Sequence, residues 1–277
     1  PFIISTHGNF YPQALSISSW KKKIAGALWV NRYLDEANAV CATSMQEMEF
    51  LRLYGVKAPI AVVPNVILIP NFISDIHKVV HPAGKRKFGF LGRLHPIKNI
   101  DRIIKAWAES RASSSEASLH IFGKGDVEYE KYLRQLCMDL NLSNVIFEGW
   151  TDGKEKFMSL SDMTVVLSPS QQENFGMTIA ESLLVETPVL ASLNTPWKEL
   201  ETYRCGWLRP DSISDIKEVI NQVLTLSDKT LMEMGKRGHE LILKTYSPGV
   251  IGKMMLQLYQ WVADPVHCHK PQFVYEI

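Results

Sequence analysis

The 277-residue chain is 46% apolar and 21% charged, the composition of a soluble globular protein with room for one large or two ordinary domains. Lys and Arg number 30 against 29 Asp and Glu, a formal charge of +1, which speaks against a dedicated nucleic-acid binder with its basic excess. No apolar run is as long as a membrane-spanning helix, no secretory leader is visible, and the four scattered cysteines form no CxxC pair, so neither a disulfide frame nor a zinc site is expected and the setting reads as reducing and cytoplasmic.

The order of predicted elements is strand then helix, repeated. Pro1 leads straight into a strand over Phe2–Ser5, so the chain reads as a fragment whose upstream elements are missing. A helix is expected over Trp20–Ala37 and a short strand over Ala39–Ala42. Ser44 is placed to cap a helix reaching about Tyr54, with Glu47 as its capping-box partner. A strand over Ile60–Val63 closes at Pro64-Asn65. Pro64, Pro70 and Pro82, with Asn71, Asp75 and Gly84, then mark a linker over about 64–85.

A second strand–helix series follows. Strands are expected at Lys87–Leu91, Ser118–Phe122, Asn144–Glu148, Met163–Leu167, Pro188–Ala191 and Gly206–Leu208. Between them, Asn99–Glu109 is a helix with Ile100, Ile103, Ile104, Trp107 and Ala108 at core spacing. Asp126–Leu140 is another, with Leu133, Leu136 and Leu140 inward. In a helix over Gly176–Leu184, Met177, Ala180 and Leu184 make an apolar stripe, and Thr178, Glu181 and Ser182 a polar one. Three helices end the chain: Ile213–Thr225, Asp228 to about Thr245, and Pro248 to about Val262, the last capped by Ser247. Strands alternating with helices imply a parallel sheet, which binds ligands beyond the carboxyl ends of its strands.

Five groups could carry chemistry. After the first strand of the second series comes Gly92-Arg93-Leu94-His95-Pro96-Ile97-Lys98-Asn99. There Gly92 lets the backbone turn and approach a ligand, Arg93 offers a planar donor fork for phosphate, Lys98 adds a point charge and Asn99 is a good N-cap. Taken alone, Arg93 and Lys98 would read as loop charges. Gly123 and Gly125 again lie between strand and helix, but the third glycine of a dinucleotide fingerprint is missing and no P-loop occurs.

The most informative stretch is Pro169–Glu181. It joins a strand to a helix whose N-terminus suits a phosphate, and Glu181, further in, can accept hydrogen bonds from sugar hydroxyls. Glu173 and Glu181 are eight residues apart, about 12 Å of helix. Glycosidase carboxyls stand roughly 5–9.5 Å apart, so the spacing suits two contacts along one extended ligand better than an acid/base pair. The fourth group is Ser5-Thr6-His7-Gly8, at a strand end. The fifth, Trp20-Lys21-Lys22-Lys23-Ile24, could rest on anionic lipid, although a core helix with a solvated basic end is the plainer reading. His267-Cys268-His269 lacks further metal ligands and reads as a solvated tail.

Together these residues resemble glycosyltransferases of family 4, with two Rossmann-like α/β domains in the arrangement called GT-B. The likeness is sharpest in Phe90–Leu94 with Lys98, in Pro169–Glu181 and in Thr187-Pro188-Val189, with Ser44–Asn65 like the end of the family's first domain. It implies retaining transfer from a nucleoside-diphosphate sugar (UDP- or GDP-sugar) to a glycan or lipid-linked acceptor in surface polysaccharide synthesis. No metal or other cofactor is implied. Arg93 and Lys98 match the diphosphate pair, Glu181 the ribose ligand and Glu173 the residue near the donor sugar. Asn174, Phe175 and Gly176 fall in the segment that meets phosphate or sugar. The base would lie near Gly123 and Phe147, and His7 falls where relatives place a residue facing the donor across the cleft.

The resemblance also divides the chain into a partial first domain over 1–78, a complete donor domain over 79–246, and a C-terminal helix and tail over 247–277 that crosses back to the first. Three positions depart from the family pattern. Asn99 and Glu186 stand where glycine is common, and Val66 follows Pro64-Asn65 where glycine is usual. Several βα units that relatives carry before Ser5 are absent. The competing reading is therefore a nucleotide-sugar-binding remnant without turnover.

Overall fold

The computed structural model describes residues 1–16 and 29–276. They form two compact units, one made of Pro1–Leu68 with Thr245–Ile277 and the other of Ile69–Lys244. The basic segment Trp20–Ile24, and with it the start of the helix expected over Trp20–Ala37, lies outside the described residues.

The first unit begins with β1 (Ile3–Ser5), α1 (Pro12–Ser16), α2 (Asn31–Glu36), β2 (Ala39–Ala42), α3 (Met45–Tyr54) and β3 (Ile60–Val62). The three strands run parallel, with Val40 paired to Ile4 and to Ile60. β2 is buried at every position, as a strand covered on both faces must be. Ser44 caps α3 as expected, accepting from the Glu47 N–H at 3.1 Å.

The other half of the expected capping box does not form. The Glu47 carboxylate turns inward and is 1% exposed. It accepts from the Thr6 hydroxyl at 2.7 Å, the Gly8 N–H, the Thr43 N–H at 2.7 Å and the Thr43 hydroxyl at 2.8 Å. Four donors at the ends of β1 and β2 outcompete one N–H at the helix start, and a carboxylate can be buried only when it is satisfied in this way.

The second unit contains β4 (Lys87–Leu91), α4 (Ile100–Glu109), β5 (Ser118–Phe122), α5 (Val127–Asp139), β6 (Val145–Gly149), α6 (Gly153–Asp162), β7 (Val165–Ser168), α7 (Met177–Leu184), β8 (Val189–Ser192), α8 (Glu199–Thr202), β9 (Gly206–Arg209), α9 (Ile213–Thr225) and α10 (Asp228–Thr245). Its sheet is parallel throughout, in the order β6-β5-β4-β7-β8-β9. The chain winds outward from β4 to β6, then returns beside β4 and winds the other way. The β4/β7 boundary is therefore the topological switch point, where such sheets open a crevice.

The core of this unit follows the helical spacing. Ile100, Ile103, Ile104 and Trp107 are all fully buried, each contributing about 1.5–3 kcal/mol. The Trp107 ring meets Phe88 edge-on at 5.3 Å, and its Nε1 donates to Asn144 at 3.0 Å. Two expected inward positions differ. Ala106 is buried where Ala108 is half-buried, and Leu140, 38% exposed, sits at the C-cap of α5 beyond the packed stripe.

Residues 64–85 hold two short 3₁₀ turns, at Ile73–Asp75 and Ala83–Lys85, and residues from Ile69 onward group with the second unit. Lys78 anchors this segment, its ammonium donating to the Met163 carbonyl and, at 2.8 Å, to the Thr187 hydroxyl. After α10 the chain adds α11 (Pro248–Ala263) and β10 (Val274–Tyr275) to the first unit. Ile251, Leu258 and Val262 of α11 pack on Ala39, Cys41 and Ala61, and β10 runs antiparallel to β3.

Candidate functional site

A cavity of about 300 Å³ opens in the second unit, lined by the carboxyl ends of three adjacent strands and the start of α7. Leu91, Gly92 and Arg93 come from the end of β4, Phe122 and Gly123 from the end of β5, Trp150, Thr151, Asp152 and Lys156 from the turn after β6 and the start of α6, and Met177, Thr178 and Glu181 from α7. Of the residues expected from sequence, Gly92, Arg93, Gly123 and Glu181 meet here.

Lys98 and Glu173 are not among the lining residues, but they are joined. The Lys98 ammonium pairs with Glu173 Oε1, which also accepts from the Ser170 hydroxyl at 3.0 Å. The loop after β4 is bound to the loop after β7 by Gln171 N–H to the Ile97 carbonyl at 2.8 Å. Asn99 reinforces this junction instead of capping α4. Its side chain donates to the Pro169 carbonyl at 2.7 Å and to Asp211 at 2.9 Å, and accepts from Gln171 at 2.9 Å. The Asn99 backbone is left-handed at φ +56°, which fits a position where glycine is common.

Each charged group of the site has a distinct environment. Lys156 Nζ stands 2.6 Å from Glu181 Oε1, with side chains 22% and 14% exposed. Arg93 is exposed and carries no ion pair among the described residues. Asp152, at the start of α6, accepts from Trp150 Nε1 at 3.1 Å and makes no side-chain cap.

The glycines do different work from that expected. Gly92 has no left-handed backbone, and a Cβ there would meet nothing nearer than the Phe90 ring at 3.4 Å. The conformational demand falls on Gly123, at φ +146°, where a Cβ would lie 1.9 Å from the Gly92 carbonyl oxygen. Gly176 is left-handed at φ +84°, the residue before α7. Beside it Phe175 is buried against Trp197, whose Nε1 donates to the Phe175 carbonyl.

Other expectations change. Phe147 lies on β6 with its ring under the Arg134 guanidinium, 4.4 Å from the ring centroid, and is not a lining residue. Met177 was expected in the core stripe but is 42% exposed and lines the cavity, whereas Ser182 from the polar stripe is fully buried and donates to the Thr178 carbonyl at 2.7 Å. Glu186 adopts the strained left-handed conformation, φ +59°. His7, in the first unit, is exposed at φ +46°, in the turn held by Glu47.

Sequence reasoning missed Trp150, Thr151, Asp152 and Lys156. They belong to a short polar stretch that reads as loop and solvated helix face, and nothing in its pattern separates a lysine facing a cavity from one facing water.

Burial pushes the thiols of Cys41 and Cys137 up to about 11 and that of Cys205 to about 12, which makes them unreactive near neutrality. No group of three or more His, Cys, Asp and Glu residues comes together to hold a metal among the described residues. His267 is exposed and bonded to Asp264. Among the described residues no helix is long and apolar enough to cross a membrane. Ser118, His120 and Glu148 form a hydrogen-bonded chain at 2.9 and 2.7 Å. The Ser118 N–H is already bonded to the Arg86 carbonyl, so that hydroxyl lacks its own N–H as an oxyanion donor.

Fold and cavity together define a Rossmann-like α/β protein with a charged pocket at the switch point of a parallel sheet. Residues 72–241 match the family described as glycosyl transferases group 1, and the chain belongs to it.

The chain is similar to the poly(ribitol-phosphate) alpha-N-acetylglucosaminyltransferase of Staphylococcus aureus (strain COL), at 26% identity over 260 residues, covering 92% of this chain and 49% of that protein. It is also similar to the alpha-monoglucosyldiacylglycerol synthase of Streptococcus pneumoniae, at 25% identity over 238 residues, 77% of this chain and 54% of that one. It thus spans about half the length of these curated relatives.

Among solved structures, Anabaena HepE in complex with UDP and glucose superposes with a TM-score of 0.74 at 20% identity, over 95% of this chain and 72% of that one. Sucrose-phosphate synthase from Thermosynechococcus elongatus superposes with a TM-score of 0.77 at 22% identity, over 95% of this chain and 68% of the other. At these identities the likeness shows the fold, which is GT-B with Rossmann-like units.

Proposed function

We propose that the chain supplies the donor site of a retaining, metal-independent glycosyltransferase that moves a sugar from a nucleoside diphosphate to a glycan or lipid-linked acceptor in surface polysaccharide synthesis. The observation that carries this reading is the convergence of Arg93, Gly92, Gly123 and Glu181 on one cavity at the switch point. Arg93 and Lys98 hold the diphosphate, the start of α7 at Gly176 faces phosphate or sugar, and Glu181 accepts from the pentose hydroxyls. Glu173 lies near the transferred sugar, and the base lies near Gly123.

The chemistry follows from charge. As the anomeric bond breaks, negative charge gathers on the leaving diphosphate. A guanidinium, an ammonium and a helix N-terminus gathered at one place stabilise that charge. The sugar is attacked from the face its leaving group departs, so no protein nucleophile is required. The names of the relatives, which transfer sugar to poly(ribitol-phosphate) or make a glycosylated diacylglycerol, support a polymeric or lipid acceptor. Cysteines that are all free accord with a cytoplasmic location. The role given to His7 rests on the resemblance alone.

Calorimetry with a panel of UDP- and GDP-sugars tests this reading. Arg93→Ala and Glu181→Ala are each expected to weaken binding on the order of tenfold, the worth of one charge-assisted hydrogen bond. Unchanged affinity in both would remove the assignment. Binding without slow release of UDP or GDP would support a remnant that no longer turns over.

A further inference from the structure

A second cation in the cavity has no role in the reading above, and the inference drawn from it deepens that reading. Lys156 lines the same cavity as Glu181 and donates to Glu181 Oε1 at 2.6 Å. Its ammonium also lies 5.0 Å from the centroid of the Phe157 ring, a second attraction that fixes its place. Glu181 Oε2 has no hydrogen-bond partner among the described residues. One oxygen of the carboxylate is thus held by the protein while the other is open.

This arrangement has two physical consequences. A glutamate side chain loses rotamer freedom when fixed, and here a ligand meets a carboxylate that is already fixed. Without Lys156, Glu181 would share its cavity with Arg93, the exposed guanidinium that has no ion pair among the described residues. Opposite charges lining one cavity attract each other, and Glu181 would no longer be held by Oε1.

We propose that Lys156 is a positioning residue for pentose recognition: it holds Glu181 by Oε1 and leaves the other oxygen to accept from the vicinal hydroxyls of a ribonucleotide, so that the pair selects ribose over deoxyribose.

The test compares UDP and GDP with their 2′-deoxy forms by calorimetry on the 277-residue chain, in the wild type, Lys156→Met, Lys156→Arg and Glu181→Ala. The wild type should prefer the ribonucleotide on the order of tenfold. Lys156→Met should bring that ratio close to one, chiefly by weakening the ribonucleotide, and Lys156→Arg should retain most of it. A lysine that merely supports the fold would weaken both nucleotides equally, and a cooperative melt of Lys156→Met separates that case from unfolding. A Lys156→Met protein that still discriminates, or that loses both nucleotides in equal proportion, overturns the inference and leaves the donor site standing. A wild type that binds neither nucleotide, or that fails to discriminate and matches Glu181→Ala, overturns the donor-site reading and the inference with it.

Discussion

Lys98 and Glu173 form an ion pair that fastens the loop after β4 to the loop after β7, with the Ser170 hydroxyl on the same carboxylate oxygen. Both side chains are mostly buried, at 21% and 15% exposure, so the pair is screened less than a surface one. On the proposed function, an arriving diphosphate must compete with Glu173 for the Lys98 ammonium. Glu173→Gln keeps the shape and removes the competing charge. It is expected to bind UDP or GDP about two- to fivefold more tightly, with a gain that shrinks as salt is raised, while Lys98→Met binds more weakly. Calorimetry at two ionic strengths reads both effects. Weaker binding by Glu173→Gln would remove Lys98 from the diphosphate.

Glu47 is the keystone of the first unit. Its carboxylate accepts from Thr6, Gly8 and Thr43 while 1% exposed. Glu47→Ala removes an acceptor shared by the Gly8 and Thr43 N–H groups and the Thr6 and Thr43 hydroxyls, although the Thr6 hydroxyl keeps the Cys41 carbonyl at 3.2 Å, and a buried polar group that loses its acceptor is costly. The loss should be on the order of 3 kcal/mol, with Glu47→Gln in between because an amide keeps one acceptor oxygen. Urea denaturation checks this, and a Glu47→Ala midpoint equal to the wild type would contradict it.

What the sequence revealed follows a physical division. Strand and helix periodicity is local, and so are the strand-end positions of Arg93 and Gly123 and the placement of Glu181 in the second turn of α7, so the order of elements and part of the cavity are legible in the sequence. Contacts made across loops could not. The capping-box pattern at Ser44 and Glu47 is a local signal, and donors from distant Thr6 and Gly8 overrode half of it. Met177 carries an apolar side chain and so reads as core, because helical spacing does not say which neighbour faces it. Lys156 looks like one more solvated lysine until α7 places Glu181 2.6 Å away. β10 is two residues long and exists because β3 offers it an edge.

Two glycines of the cavity should respond differently to the same added methyl. At Gly123 the new Cβ would lie 1.9 Å from the Gly92 carbonyl oxygen, with the backbone at φ +146°. Gly123→Ala must displace one strand end against another, which should cost about 3 kcal/mol or more and abolish nucleotide binding. Gly92→Ala meets only the Phe90 ring at 3.4 Å, so stability should change by less than about 1 kcal/mol. Because Gly92 faces the cavity, its variant should still lose affinity. Thermal melts paired with calorimetry separate the two outcomes, and a Gly123→Ala protein that melts like the wild type would refute the steric reading.

Burial pushes the Lys78 amine down to about 7 from its ordinary 10.5, although Asp162 and Glu186 pull the other way. Between those two values the unfolded chain holds a proton that the folded chain has released. Stability therefore rises with pH across about 7 to 10.5, and below about 7 the folded state bears the full cost of a buried charge. Lys78→Met removes this dependence. It also forfeits the bond to the Thr187 hydroxyl, a loss that does not vary with pH, so the diagnostic quantity is slope. Urea unfolding at intervals from pH 6 to 9 should show the variant's stability relative to the wild type falling as pH rises above 7, by at most about 1.4 kcal/mol per pH unit. Parallel curves for the two proteins would mean that Lys78 keeps its proton in the folded state.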